Sequence, residues 1–443
     1  MSLENESYAK RLQAVIPGGA HTYSRGDDQY PLNAPSILKR GKGAYIYDDK
    51  GNELLDWGMA LRSVNIGYSE ETVNQGAIEQ IGYGNNLTRP SLVELEAAEL
   101  FTSLIPSGDM VKFTKNGSSS VSAAVKLARA YTGKELIVRC ADHPFFSFDD
   151  WFIGSTNITR GVPENIQKQT LQFRYNDIAS LQSLIEQSND NIACVVLEPA
   201  TLMHPAPSKS NPDQNFLHEV QDLCKKKGIV FILDEMITGF RWDISGAQKY
   251  YNLEPDLSTF GKAMANGFSV AALTGKKEIM ELGSIDKEGQ ERVFLLSTTH
   301  GAEMSSLGAF VKTMNFLQEN NVIEKNWQTG KSLIQGANKI AKSLGIEDYF
   351  FFHGIECSPT YTTLNRDKEL SLELRTLFSQ EMIKNGVLMP WVSICYRHGQ
   401  KELQHTMQAL ESTLKVYKNA LEDGDISKYL VGDAIKPVFR KFN

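Results

Sequence analysis

The chain has 443 residues, 41% of them hydrophobic and 22% charged, with a formal net charge of -7 and a pI near 5.7. That balance gives no support to a nucleic-acid or membrane partner, and no run approaches the ~18 apolar residues of a membrane span. Five widely separated cysteines, eight histidines without metal-ligand spacing and a polar, acidic start argue against a disulfide framework, a zinc site and a secretory signal, so a cytoplasmic protein without a metal is expected.

Residues from about 36 to 57 read as a small sheet. Ile37–Gly43 and Ala44–Tyr47 precede the turn Asp48-Asp-Lys-Gly-Asn52, and Glu53–Trp57 returns from it as a hairpin partner. Leu92–Leu104 carries Leu92, Leu95, Ala98 and Leu104 at helical spacing. Lys115-Asn-Gly-Ser-Ser-Ser120 then opens a helix whose apolar stripe is Val121, Ala124, Val125 and Ala128, with Gly133 as its stop.

The middle of the chain alternates strands and helices. Ile192–Leu197 and Ile229–Leu233 are short continuous apolar runs, as expected of strands buried on both faces. Phe216–Lys227 between them has a helical pattern. This rhythm predicts an α/β fold with a doubly wound, mostly parallel sheet. From about 322 onward, helices at 323–343 and 369–384 surround weaker strands at 349–354 and 387–395, which reads as a smaller α+β domain. The tail beyond Tyr417 is charged and reads as a surface arm.

Three elements carry chemistry. Asp234 directly follows the run Ile229–Leu233, at the strand end where open α/β sheets place ligands. Lys262 follows Gly261 one strand later. The Lys115–Ser120 loop offers backbone N–H groups and a helix N-terminus to a phosphate. Each alone has a plain structural reading: a helix cap or strand-end acid, a solvated lysine and an ordinary serine cap. Together they are what pyridoxal phosphate chemistry needs, a lysine to bond the cofactor aldehyde and an aspartate to keep its ring nitrogen protonated.

Phe113-Thr-Lys-Asn-Gly-Ser-Ser-Ser, Leu197-Glu-Pro-Ala, Asp234-Glu-Met-Ile-Thr-Gly-Phe-Arg and Pro255-Asp-Leu-Ser-Thr-Phe-Gly-Lys resemble the successive signatures of class III aminotransferases. Ile16-Pro-Gly-Gly-Ala-His-Thr-Tyr-Ser-Arg25 and Leu127-Ala-Arg-Ala-Tyr-Thr-Gly133 are most similar to the glutamate-1-semialdehyde aminomutase branch. The resemblance runs from about residue 10 to residue 417. It implies fold type I, with a large domain at 66–321 and a small domain built from 1–65 and 322–443.

By the same resemblance, Lys262 is the Schiff-base lysine and proton shuttle, and Asp234 pairs with the pyridine nitrogen. Asn116, Gly117 and Ser118 form the phosphate turn, and Met236 packs on one ring face. Thr298 reaches the phosphate across the interface of a homodimer. Arg25, with Thr22 in the same segment, matches the carboxylate-binding arginine, and Arg62 and Arg397 are further candidates for substrate contacts. Salt bridges are the competing reading for Arg62 and Arg397.

Departures also matter. The aromatic-His-Gly motif that supplies the stacking ring reads Ala141-Asp-His-Pro-Phe-Phe146, which passes that role to His143, Phe145 or Phe146. Ser119 replaces a glutamate, Leu61-Arg62 replaces Trp-Gly, and Met389–His398 replaces the segment carrying a substrate-facing glutamate. The implied activity is amino transfer from a donor such as glutamate to a carbonyl acceptor such as a keto sugar. The alternatives are the intramolecular aminomutase reaction and a non-catalytic cofactor-binding protein.

Overall fold

The structure is a computed structural model, and it describes residues 7–200, 203–301 and 303–442. They divide into two compact units, one from the described residues up to Glu70 and from Glu324 onward, the other Glu71–Ile323.

The unit Glu71–Ile323 is built on a seven-stranded sheet. Its order is Met110–Thr114, Ala271–Gly275, Leu257–Phe260, Val230–Glu235, Ile192–Leu197, Leu136–Cys140 and Thr170–Phe173. From Leu257–Phe260 to Thr170–Phe173 every pairing is parallel. Ala271–Gly275 runs antiparallel to both of its neighbours. Every residue of Ile192–Leu197 and Val230–Glu235 is buried, which is why these strands read as continuous apolar runs rather than alternating ones.

Helices form where the sequence places caps and stops. Gly117–Thr132 begins on Asn116, whose side chain accepts the Ser119 N–H, and ends at Gly133 in the left-handed conformation. Phe216–Lys227 begins on Asn215 and ends at Gly228 in the same way. Leu92–Leu104 carries a capping box between Ser91 and Glu94.

The other unit holds a four-stranded sheet, Leu38–Lys42, Tyr45–Asp48, Glu53–Asp56 and Val387–Leu388. Asp48 shapes its hairpin turn, with Oδ1 accepting from the N–H of Lys50 (3.0 Å) and of Asn52 (2.8 Å). A second hairpin pairs Phe350–Ile355 with Ser358–Thr363. Leu374, Leu377 and Phe378 from one helix and Leu410, Leu414 and Tyr417 from another share a core with them.

The expected strand 387–395 stops at Leu388. Pro390 lacks a ladder N–H, and the chain beyond it bonds elsewhere: the Ser393 N–H donates to Trp57 O at 2.7 Å and the Cys395 N–H to His398 Nδ1 at 3.0 Å. His398 stacks on Trp57 with ring centroids 4.0 Å apart. The terminal arm is pinned: the Lys436 N–H donates to Asp28 O at 2.9 Å, and Arg440 pairs with Asp28 at 2.6 Å. Among the described residues no helix is long and apolar enough to cross a membrane.

Candidate active site

Parallel strands deliver their carboxyl ends to one edge of a sheet, and there the loops after them meet. Asp234 lies opposite Thr259 in the register of the two central strands, and Lys262 follows the second of those strands by two residues. Asp234 Oδ1 accepts hydrogen bonds from the Met236 N–H at 2.9 Å and from Thr259 Oγ1 at 3.2 Å. Burial pushes the Asp234 carboxyl up to about 6, while the charge of Lys262 and these hydrogen bonds pull it down. Lys262 is half-buried and sits at φ 43°. A side chain with a Cβ holds that conformation only where its surroundings impose it.

The same edge receives the helix Gly117–Thr132. Gly117 and Ser118 are its first residues, with N–H groups that a helix leaves unpaired in its first turn. Ser118 Oγ accepts the Phe148 N–H at 3.2 Å, so its hydroxyl already has a partner. Met236 is buried with its sulfur between two glycines: a Cβ at Gly117 would lie 2.8 Å from Sδ, and one at Gly261 2.7 Å. The structure thus brings Asn116, Gly117, Ser118, Asp234, Met236 and Lys262 together.

His143 lies in the loop after Leu136–Cys140, at the same edge. Its Nδ1 accepts the Glu198 N–H at 3.0 Å, which leaves the proton on Nε2. Burial lowers it to about 3, so the ring is neutral. Phe146 is buried at its edge (centroids 6.1 Å apart), whereas Phe145 is exposed and packs edge-on to Phe152. Asp142, at the aromatic position of the motif, is spent on the Tyr175 N–H and on Arg174. Thr298 lies in an exposed loop, where its carbonyl oxygen accepts the Gly301 N–H at 3.2 Å.

The remaining candidates belong to the other unit. Arg25 is exposed and lines a cavity there, while Thr22 directly precedes the short turn Tyr23–Arg25 without a side-chain hydrogen bond to it. Arg397 is engaged with Glu70 Oε2 through Nη2 (2.6 Å) and Nε (3.2 Å). Arg62 sits at φ 62°. Sequence reading missed Thr259 and Glu198 as partners of the site. Both lie inside the quoted motifs, and strand register is the signal that assigns them.

A family model described as aminotransferase class-III matches residues 25–349. The chain belongs to the class-III aminotransferase family. A 3-aminobutyryl-CoA aminotransferase from Cloacimonas acidaminovorans is 32% identical, with 94% of this chain and 97% of the relative covered. A glutamate-1-semialdehyde 2,1-aminomutase from Alkaliphilus metalliredigens is 31% identical, with 92% and 95% covered. The fold also matches an omega-transaminase from Sphaerobacter thermophilus, with a TM-score of 0.82 at 24% identity over 93% and 97% of the two chains.

The cofactor of this class-III aminotransferase is pyridoxal phosphate, and the site's donor set fits it. An open helix N-terminus suits the phosphate. A buried carboxylate suits a protonated ring nitrogen, and a lysine lies beside it. The two glycines leave room for the Met236 side chain. Gly117→Ala is expected to destabilise the protein by about 1–3 kcal/mol through the clash with Sδ. Adding Met236→Ala should restore part of the loss, as read by thermal unfolding of the two variants.

Proposed function

We propose that this chain is a transaminase that moves an amino group from a carboxylate-bearing donor, such as glutamate, to a carbonyl acceptor. The observation that carries this reading is the juxtaposition of Lys262 and buried Asp234 beside the open N-terminus of Gly117–Thr132. Pyridoxal phosphate, when bound, supplies an aldehyde that exchanges amines and a ring that draws electrons from the substrate carbon. Asn116, Gly117 and Ser118 would hold its phosphate, Asp234 the proton on its ring nitrogen, and His143 and Met236 its two faces. Lys262 would hold the cofactor covalently, and its free amine would take the donor's α-proton on Nζ and deliver it onward. By the resemblance, Arg25 is the candidate for the donor carboxylate.

The test is a panel of donors and acceptors assayed with purified enzyme for net nitrogen transfer. The panel includes glutamate with keto sugars, and also 3-aminobutyryl-CoA, the substrate in the name of one relative. The curated relatives that are aminomutases favour a second reading, amino transfer within one molecule. Rapid isomerisation of glutamate-1-semialdehyde with no net transfer to any added acceptor would sink the first reading.

We further propose a homodimer completed at Thr298. The exposed apolar side chains Ile78, Ile81, Tyr83, Leu87, Leu92 and Leu95 support it. Ile81→Asp with Leu92→Asp should shift sedimentation from twice the 49.4 kDa chain mass toward the single chain. A wild-type protein that sediments as a monomer contradicts the proposal. A reducing compartment, the cytoplasm, is supported by five buried cysteines that are all free thiols.

A further inference from the structure

The turn Asn116–Ser118 is led into by Lys115, which directly follows the strand Met110–Thr114 and is gripped at both ends. Its carbonyl oxygen accepts the Ser269 hydroxyl at 2.6 Å, from the loop between Lys262 and the strand Ala271–Gly275. Its ammonium pairs with Glu303 Oε2 and donates to Ser306 Oγ at 3.4 Å. The pair is partly buried, its side chains 25% and 28% exposed.

Another residue frees Glu303 for this contact. Glu303 stands at the N-cap of the helix Met304–Glu319, yet its side chain makes no cap hydrogen bond. Asn85 caps the helix instead, in the left-handed conformation at φ 57°. Its carbonyl oxygen accepts the Met304 N–H at 2.8 Å, and its Oδ1 accepts the Ser305 N–H at 2.9 Å. Asn85 Nδ2 then donates to Glu303 Oε1 at 2.9 Å, so a partner meets each carboxylate oxygen. The hydrogen bond from Lys115 holds the Glu303 carboxyl below the usual carboxylate range, although burial opposes it. Exposed ion pairs contribute little because two mobile side chains must be ordered. Here Asn85 has already fixed one of them. Backbone N–H groups bind an anion only when aimed at it, and the aim of Gly117 and Ser118 depends on the residue that leads into them.

We propose that Lys115 and Glu303 are positioning residues for the phosphate turn: their ion pair, set by Asn85, aims the Gly117 and Ser118 N–H groups at the cofactor phosphate. The proposal rests on the reading of Asn116–Ser118 as that turn. The rival is plain attraction of the phosphate by the Lys115 charge, and the two differ in sign at Glu303. If only charge matters, removing a carboxylate strengthens phosphate binding. If the pair positions the turn, removing it weakens binding.

The experiment titrates cofactor-free protein with pyridoxal phosphate and with pyridoxal, which lacks the phosphate, followed by protein fluorescence. Lys115→Met and Glu303→Gln are each expected to weaken pyridoxal phosphate about three- to tenfold and to leave pyridoxal unchanged. The double variant should bind as weakly as either single one, although its net charge equals that of wild type. Lys115→Arg keeps the pair and should bind within about twofold of wild type. A Glu303→Gln protein that binds pyridoxal phosphate as well as wild type or better overturns the proposal alone. So does an equal loss of both ligands that tracks the folded fraction in thermal unfolding. A wild-type protein that binds pyridoxal as tightly as pyridoxal phosphate overturns the phosphate-turn reading and this proposal with it.

Discussion

Lys262→Ala is expected to lower turnover by about 10⁴-fold or more, because it removes both the covalent anchor and the proton carrier. The variant should also lose the visible absorbance of lysine-bound pyridoxal phosphate while still binding the cofactor through Asn116–Ser118 and Asp234. The fold tolerates the change: Lys262 is half-buried, and its neighbours Ala263, Met264 and Ala265 carry the packing of that turn. A circular dichroism spectrum identical to wild type, together with the missing band, separates a chemical loss from an unfolded protein. An unchanged absorbance spectrum or substantial residual transfer would place the chemistry on another lysine.

Asp234→Asn should separate stability from function. In an unfolded chain an aspartate titrates near 3.9, whereas burial holds the folded carboxyl at about 6. Between those values the folded state binds the extra proton. The folded state therefore keeps its full stability from this group below pH ~4 and loses it as pH rises through about 6. Charging Asp234 in the cofactor-free protein at pH 8 thus costs on the order of 2–3 kcal/mol.

Asparagine keeps an oxygen for the Met236 N–H and Thr259 hydroxyl and carries no such cost. Cofactor-free Asp234→Asn should therefore melt higher than wild type at pH 8 and nearly level with it at pH 4. Its turnover should fall about 10²- to 10⁴-fold, since the ring nitrogen loses the group that keeps it protonated. A variant less stable than wild type at pH 8 would contradict this account of the buried charge. Glu235, which burial pushes up to about 7, is raised further by the charge of Asp234; the variant removes that repulsion, which moves the comparison in the same direction.

The juxtaposition of Asp234 and Lys262 was legible in the sequence because both residues end buried apolar strands. Parallel neighbours put such ends at one edge of the sheet. The cap at Asn116 and the stop at Gly133 were legible for a similar reason, since helix termini demand particular side chains. The reversed direction of Ala271–Gly275 was not legible, because an apolar run has the same pattern whichever way it runs. Nor were the hydrogen bonds from the Gly58 and Ala60 N–H groups to Asp56 and Tyr68. Backbone strain at Met59 and Ala60 leaves no mark in residue type, and the partners meet only after the loop has folded back. Arg397 showed only a positive charge in the sequence, and its pairing with Glu70 depends on the folded small unit.

The central claim is that Lys262 is the residue that carries the cofactor. Borohydride reduction of the holoenzyme followed by peptide mass mapping tests it most directly. The pyridoxyl phosphate mass is expected on Lys262, within the peptide that contains Ser258-Thr-Phe-Gly-Lys-Ala263. Label on any other lysine, or no label in an enzyme that transfers nitrogen, would contradict it.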